Sequence, residues 1–337
     1  MHAAPLPRST ATATIVLTLL GWSSIPLFLR HFTNLIDPWT ANGWRYAFSA
    51  LLWAPVLLVG MRRGTLPPGL WRAALVPSLF NIVGQMLYGW APYLLQPGLM
   101  TFAMRLQIVF VALGAAAFFA NERAVLRRPG FLAGLALVIV GTLATVALKP
   151  GGIGLTSVGK DASWGGVLVA VGSGIFYAAY ALAVRRWMHA MPAFPAFAAV
   201  SQYTAVGLLV PMFALGAGHG VMPLGLEPRQ LGLLLLSAVI GIGLGHTMYF
   251  FSLARLGVAV SSGVVQLQPV LVSVASIRLF SEPFTIAQWW CGALAIAGAI
   301  VMLVVQHRAL AKARPAQPAS ASADSGLELD TSENGRV

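Results

Sequence analysis

Cysteine is nearly missing from this chain: one residue, Cys291, in 337. A single thiol excludes an internal disulfide framework and any multi-thiolate metal site. Its place in the apolar run from Trp289 to Val305 makes it a small packing residue. Charge is scarce as well, at 9% of residues against roughly 25% in an ordinary soluble domain. Acids are scarcest, with nine Asp and Glu in all and none inside an apolar run. That weighs against a cation antiporter built around a buried carboxylate. What is abundant is hydrocarbon: 58% of residues are hydrophobic and the mean hydropathy is +0.79. So little polar surface cannot cover a water-soluble globule, which excludes an ordinary soluble enzyme and makes the lipid bilayer the solvent. The net charge of +12 comes from Lys and Arg scattered singly and in pairs, with no basic stripe, so nucleic acid is not an expected partner.

Runs long enough to cross a bilayer, about 20 residues each, fall near 12 to 29, 39 to 60, 71 to 94, 98 to 120, 130 to 148, 164 to 184, 196 to 216, 230 to 254, 258 to 281 and 286 to 305. The expected fold is all-α, a polytopic membrane protein of ten transmembrane helices. Pro26, Pro55, Pro77, Pro211 and Pro269 lie within these runs and are read as bends. With the N-terminus inside, fourteen of the 21 Lys and Arg fall on the cytoplasmic side and five on the other. This bias puts both termini in the cytoplasm. Arg45 and Arg105 are left over, inside spans.

Adding 161 to each position carries Gly84 onto Gly245, Tyr88 onto Tyr249, Leu106 onto Leu267, Gln107 onto Gln268 and Val109 onto Val270. The chain therefore reads as a tandem duplication: a first five-helix repeat over 1–148, an external linker over 149–163, a second repeat over 164–308 and a disordered cytoplasmic tail over 309–337. Five spans is an odd number, so the second repeat is expected to sit inverted relative to the first. Inverted repeats are the architecture of many alternating-access transporters, with the site near the midplane between the halves.

The stretch Ser261 to Thr285, SSGVVQLQPVLVSVASIRLFSEPFT, followed by a Gly292 to Gly298 helix, resembles the signature of the EamA family in the drug/metabolite transporter superfamily. The first repeat carries a weaker copy, Leu106 to Glu122 and then Gly134 to Gly141, with Ile108 where the second has Pro269. The Trp44, Arg45, Tyr46 cluster looks like the family's Arg-aromatic pair. The resemblance implies ten helices, residence in the bacterial inner membrane, and movement of small organic solutes such as amino acids.

Asn81, Gln85 and Tyr88 are spaced to share one face of the third span. The repeat carries Gln85 onto His246 and Tyr88 onto Tyr249. Polar groups in hydrocarbon are costly unless they meet partners or water, so the two faces either line a pathway or hold the bundle together. Arg105 is the sharpest residue, a charge in the fourth span with no acid near it in sequence and Gln266 as its repeat partner. It could receive a substrate carboxylate, snorkel toward the outer interface, or bind carbonyls freed at a kink. Gln107 and Gln268, two residues further on, are placed by helical geometry on nearly the opposite face. His246 is the intramembrane group that titrates near neutrality; a neutral, hydrogen-bonded core histidine is the plainer reading.

Other motifs fail. Gly154 to Asp161, GLTSVGKD, falls one residue short of a phosphate-binding loop and follows no strand. Gly241, Gly243 and Gly245 permit close helix packing, a common spacing in apolar spans. A pairing of Ser173 or Ser262 with His246 would define an intramembrane hydrolase, without structural reason to bring them together. The reading is thus a transporter and not an enzyme, exporting small metabolites, amino acids or related carboxylate-bearing solutes first, with efflux of drug-like compounds as the alternative. The expected substrate site is Trp44, Asn81, Gln85, Tyr88, Arg105, His246, Tyr249 and Gln266. Its expected partners are a small-molecule substrate and the bilayer, as monomer or homodimer, with no cofactor or metal.

Overall fold

A computed structural model describes residues 8–119, 123–153 and 163–313. The GLTSVGKD stretch, Glu122 and the tail beyond 313 lie outside them. Among the described residues the fold is helical throughout, with no strand. Its elements are α1 (Arg8–Phe32), α2 (Pro38–Arg62), α3 (Leu70–Leu94), α4 (Pro97–Met104), α5 (Gln107–Phe118), the short α6 (Arg123–Leu126), α7 (Pro129–Ala147), α8 (Trp164–Trp187), α9 (Ala193–Leu215), α10 (Pro228–Ala238), α11 (Gly245–Val265), α12 (Gln268–Phe280) and α13 (Ile286–Ala313). A wide π turn over Val239–Leu244 joins α10 to α11.

Nine segments among the described residues are long and apolar enough to cross a membrane. α3 is not among the nine: at 25 residues it is as long as α2, but Arg72, Asn81 and Gln85 dilute it. Large apolar side chains face outward, among them Leu51, Leu168, Phe118 and Trp290, the reverse of a soluble protein. Leu79 of α3 is exposed in the same way.

The sequence sets the helix ends. α2, α4, α7 and α10 each start on a proline, whose missing N–H costs nothing in the first turn. Asp37 caps α2, accepting from the Thr40 amide at 2.9 Å and the Thr40 hydroxyl at 2.6 Å. It also accepts from the Ala217 amide at 3.0 Å, which ties the end of α9 to the start of α2. Pro26, Pro55, Pro77 and Pro211 lie inside continuous helices. Pro269 does not. It sits in the first turn of α12, so it starts a helix where a bend was expected.

The run called α11 folds back on itself. The Tyr249 hydroxyl lies 3.2 Å from that of Ser262, 13 residues on, where a straight helix would hold the two backbones about 20 Å apart.

Helix α1 packs on α11, α3 on α8, α2 on α9, α4 on α12 and α7 on α13. The last pair is the tightest: a Cβ at Gly134 would sit 2.8 Å from the Gly298 carbonyl, and one at Gly298 would sit 2.6 Å from that of Gly134. Only glycine permits this approach of two backbones. At one end of the bundle Arg30 closes the structure. It pairs with Glu282 at 2.8 Å and donates to the Pro92 carbonyl at 3.1 Å, while Ser276 donates to the other Glu282 oxygen. Both charges are about nine-tenths buried, so the ends of α1, α3 and α12 are held by one ionic knot.

Candidate functional site

The site begins at a helix break. Between α4 and α5, Arg105 and Leu106 form a tight turn (Arg105 φ −62°, ψ −20°), and between α11 and α12, Gln266 and Leu267 do the same (Gln266 φ −62°, ψ −17°). The two breaks fall at positions related by the repeat. They occur alike although Ile108 stands where the other half has Pro269, so the proline is not what causes them. Freed carbonyls and polar side chains gather at such breaks because hydrocarbon offers them no other partner.

Arg105, half-buried, donates to Gln268 Oε1 at 2.6 Å, to Gln266 Oε1 at 3.3 Å and to the Val265 carbonyl at 3.4 Å, and through Nε to the Thr101 carbonyl at 3.4 Å. Every acceptor is neutral. The expectation that Gln268 faces away from Gln266 is therefore corrected. Opposite faces at two-residue spacing assume continuous α geometry, and the turn at Gln266 and Leu267 replaces it. Gln107, in contrast, packs on Gly174 of α8.

Gln268 relays the network by donating to the Trp22 carbonyl at 2.9 Å, and the Trp22 indole donates to the Gly241 carbonyl at 3.1 Å. That carbonyl belongs to the π turn. Trp22 also packs on His246 (ring centroids 5.4 Å apart) and Tyr249 (4.9 Å), and His246 stacks on Phe197 at 4.4 Å. His246 Nδ1 lies 3.2 Å from the Ile242 carbonyl. His246 is a packed aromatic, held between two rings and a backbone group.

On the far side of Gly241 lies Arg45, only 2% exposed. Its Nε donates to Ser237 Oγ at 2.9 Å and its Nη1 to Asn42 Oδ1 at 3.2 Å. Asn42 in turn donates to the Gln85 carbonyl at 2.5 Å. Tyr88 stands within electrostatic reach of both Arg45 and Arg105, and its ring lies 6.1 Å from that of Tyr177.

The expected site residues thus divide. Arg105 and Gln266 come together at the break, Tyr88 stands within electrostatic reach of the arginine, and His246 and Tyr249 join through Trp22. Gln85 is half-buried beside Asn42, and its amide makes no hydrogen bond among the described residues. Asn81 is occupied in holding helices, donating to Thr204 Oγ1 of α9 at 2.9 Å. Trp44 donates to the Gly220 carbonyl at 2.7 Å in the loop after α9. The serines of the hydrolase reading are held elsewhere: Ser173 donates to the Gly84 carbonyl at 2.9 Å, and Ser262 meets Tyr249.

Sequence reasoning missed Trp22, Gln268, Ser237 and Tyr177, and took Arg45 only as part of a resemblance. A signal for Trp22 was present. With an offset of 155 in place of 161, Leu27 and Arg30 coincide with Leu182 and Arg185, and Trp22 coincides with Tyr177. These two aromatics do equivalent work, Tyr177 filling the space left by Gly84 and Trp22 that left by Gly245.

A helical bundle with outward apolar faces, two matched helix breaks and a buried polar network between them defines a multispanning membrane protein of the solute-transporter class. The EamA-like transporter family matches residues 10–147 and again residues 164–304, and the chain belongs to that family. Its members are membrane transporters of small solutes. Among solved structures, one titled "Crystal structure of protein" shares the fold, with a TM-score of 0.57 at 19% identity over 89% of this chain and 98% of the other. No curated protein matches.

Proposed function

We propose that the chain is a secondary transporter that exports small carboxylate-bearing organic solutes, amino acids among them, across the bacterial inner membrane. α3 crosses with the nine more apolar segments to make ten spans, in two inverted halves over 1–148 and 164–308, with both termini in the cytoplasm. Transport proceeds by rocking of one half against the other around the break-centred site. The pairing of α2 with α9, α4 with α12 and α7 with α13, and of α1 and α3 with α11 and α8, supports such a two-fold relation.

One observation carries the cargo class: Arg105 sits in a helix break with no acid beside it, held only by amides and carbonyls. A carboxylate exchanges those weak neutral acceptors for a charge-assisted pair. Gln266 bonds it, and Tyr88, Gln85, His246 and Tyr249 complete the proposed site as hydrogen-bonding and aromatic groups, with Trp44 and Asn81 fixing the helices that carry them. The test is counterflow in proteoliposomes with labelled amino acids, organic acids and cationic dyes. Carboxylates are expected to exchange, and movement of the dyes alone would sink the cargo assignment.

A further inference from the structure

Arg105 is not the only buried cation without an anion. Arg45 is more deeply buried, and its five N–H groups find two acceptors, Ser237 and Asn42, both neutral. Among the described residues three of those N–H groups are left over. The acids that the structure describes are Asp37, Glu227 and Glu282. Asp37 caps α2, Glu227 precedes α10 and Glu282 is bound to Arg30, so none reaches either guanidinium. Burying a charge costs several kcal/mol unless it is paired, and here two like charges are each held by neutral acceptors.

A chain of hydrogen bonds leads from one cation toward the other. From Arg105 it runs to Gln268, on to the Trp22 carbonyl, and through the Trp22 indole to the Gly241 carbonyl. A Cβ on Gly241 would lie 3.6 Å from Arg45 Nη2. Tyr88 is in electrostatic reach of both ends. Arg105 and Arg45 thus stand at the two ends of one chain of neighbouring groups, with Gly241 between Trp22 and Arg45.

We infer that the cargo carries two carboxylates joined by a short chain, one received by Arg105 and the other by Arg45. This rests on the carboxylate reading above and narrows it. A monocarboxylate neutralises one guanidinium and leaves the other unpaired. A zwitterion does worse, because its ammonium is brought toward the second positive charge with no acid to receive it, and such repulsion is what sets specificity. Acidic amino acids and simple dicarboxylates satisfy both ends.

Two pairs of solutes matched in length isolate the second charge: succinate against 4-aminobutyrate, and glutamate against glutamine. Labelled counterflow is measured for all four in proteoliposomes holding the full chain. The diacid of each pair is expected to move at least tenfold faster at equal low concentration. Arg45→Gln is expected to reduce the succinate to 4-aminobutyrate ratio tenfold or more, while Arg45→Lys, which retains the charge, preserves a preference for succinate. Should Arg45→Gln fail to fold, the wild-type ratios decide. Equal transport within both pairs would overturn the two-carboxylate cargo and leave the proposed function standing. Transport of none of the four would remove the carboxylate reading and this inference with it.

Discussion

The two halves of the molecule build the same geometry from different chemistry. In the first half the chain breaks between α4 and α5, at Arg105 and Leu106, and in the second between α11 and α12, at Gln266 and Leu267. Gly84 and Tyr88 meet Tyr177 in one, and Gly245 and Tyr249 meet Trp22 in the other. The shape is duplicated and the charge is not: Arg45 and Arg105 belong to the first half, while the second answers with Gln266, Gln268 and Ser237. The scaffold is matched across the halves. The unmatched side chains give the region between them its sign.

The severest test of that comparison is Glu282→Gln, which strips the carboxylate that forms an ion pair across the halves. Removing one partner of a buried pair costs about 3–5 kcal/mol, so the variant should lose thermal stability in detergent strongly, and Arg30→Gln should match it. Full retention of the unfolding midpoint would mean the knot at that end is not structural. Next comes Arg105→Gln, which makes the two breaks chemically alike. Losing a charge-assisted bond of about 1.5–3 kcal/mol predicts a fall of roughly ten- to a hundredfold in carboxylate counterflow at equal expression. Wild-type transport would remove Arg105 from the site. Gly84→Ala and Gly245→Ala press a methyl on Tyr177 and Trp22 respectively, and overpacking predicts about 1–3 kcal/mol of destabilisation for each. Gly245→Ala should be the worse, because its added atom meets the fixed edge of an indole already bonded to Gly241. The smallest effect is expected for Pro269→Ala. The first half breaks without a proline, so stability should change by under about 1 kcal/mol, and a large loss would show that the two breaks have different causes.

Much of the fold was legible because hydrocarbon imposes a length: a run of about 20 apolar residues has few alternatives to a helix. The breaks between α4 and α5 and between α11 and α12 were not legible. The residues around Arg105 form α-helix readily, and what interrupts them is tertiary, a set of donors and carbonyls satisfying each other across the halves. Pro269 pointed to the right place in one half for a reason the other half does without. In the site, the repeat paired Arg105 with Gln266 correctly in space, yet the assumption of an unbroken 3.6-residue period turned Gln268 outward. Trp22 escaped because the first spans of the two halves align with a different offset from the third and fourth, the loops between having changed length. Asn81, on the same face as Gln85 and Tyr88, spends a hydrogen bond on Thr204, as the bundle-holding reading of that face expects.

The knot between Arg30 and Glu282 also bears on how the chain is made. Arg30 lies near the end of α1 and Glu282 follows α12, so about 250 residues of synthesis separate the two charges, or roughly 10–50 s at about 5–20 residues per second. During that interval the nascent first helix holds a cation whose anion does not yet exist. A ribosome that stalls or a message that ends before Glu282 leaves a partial bundle with an exposed charge at its rim, chemically distinct from the finished protein.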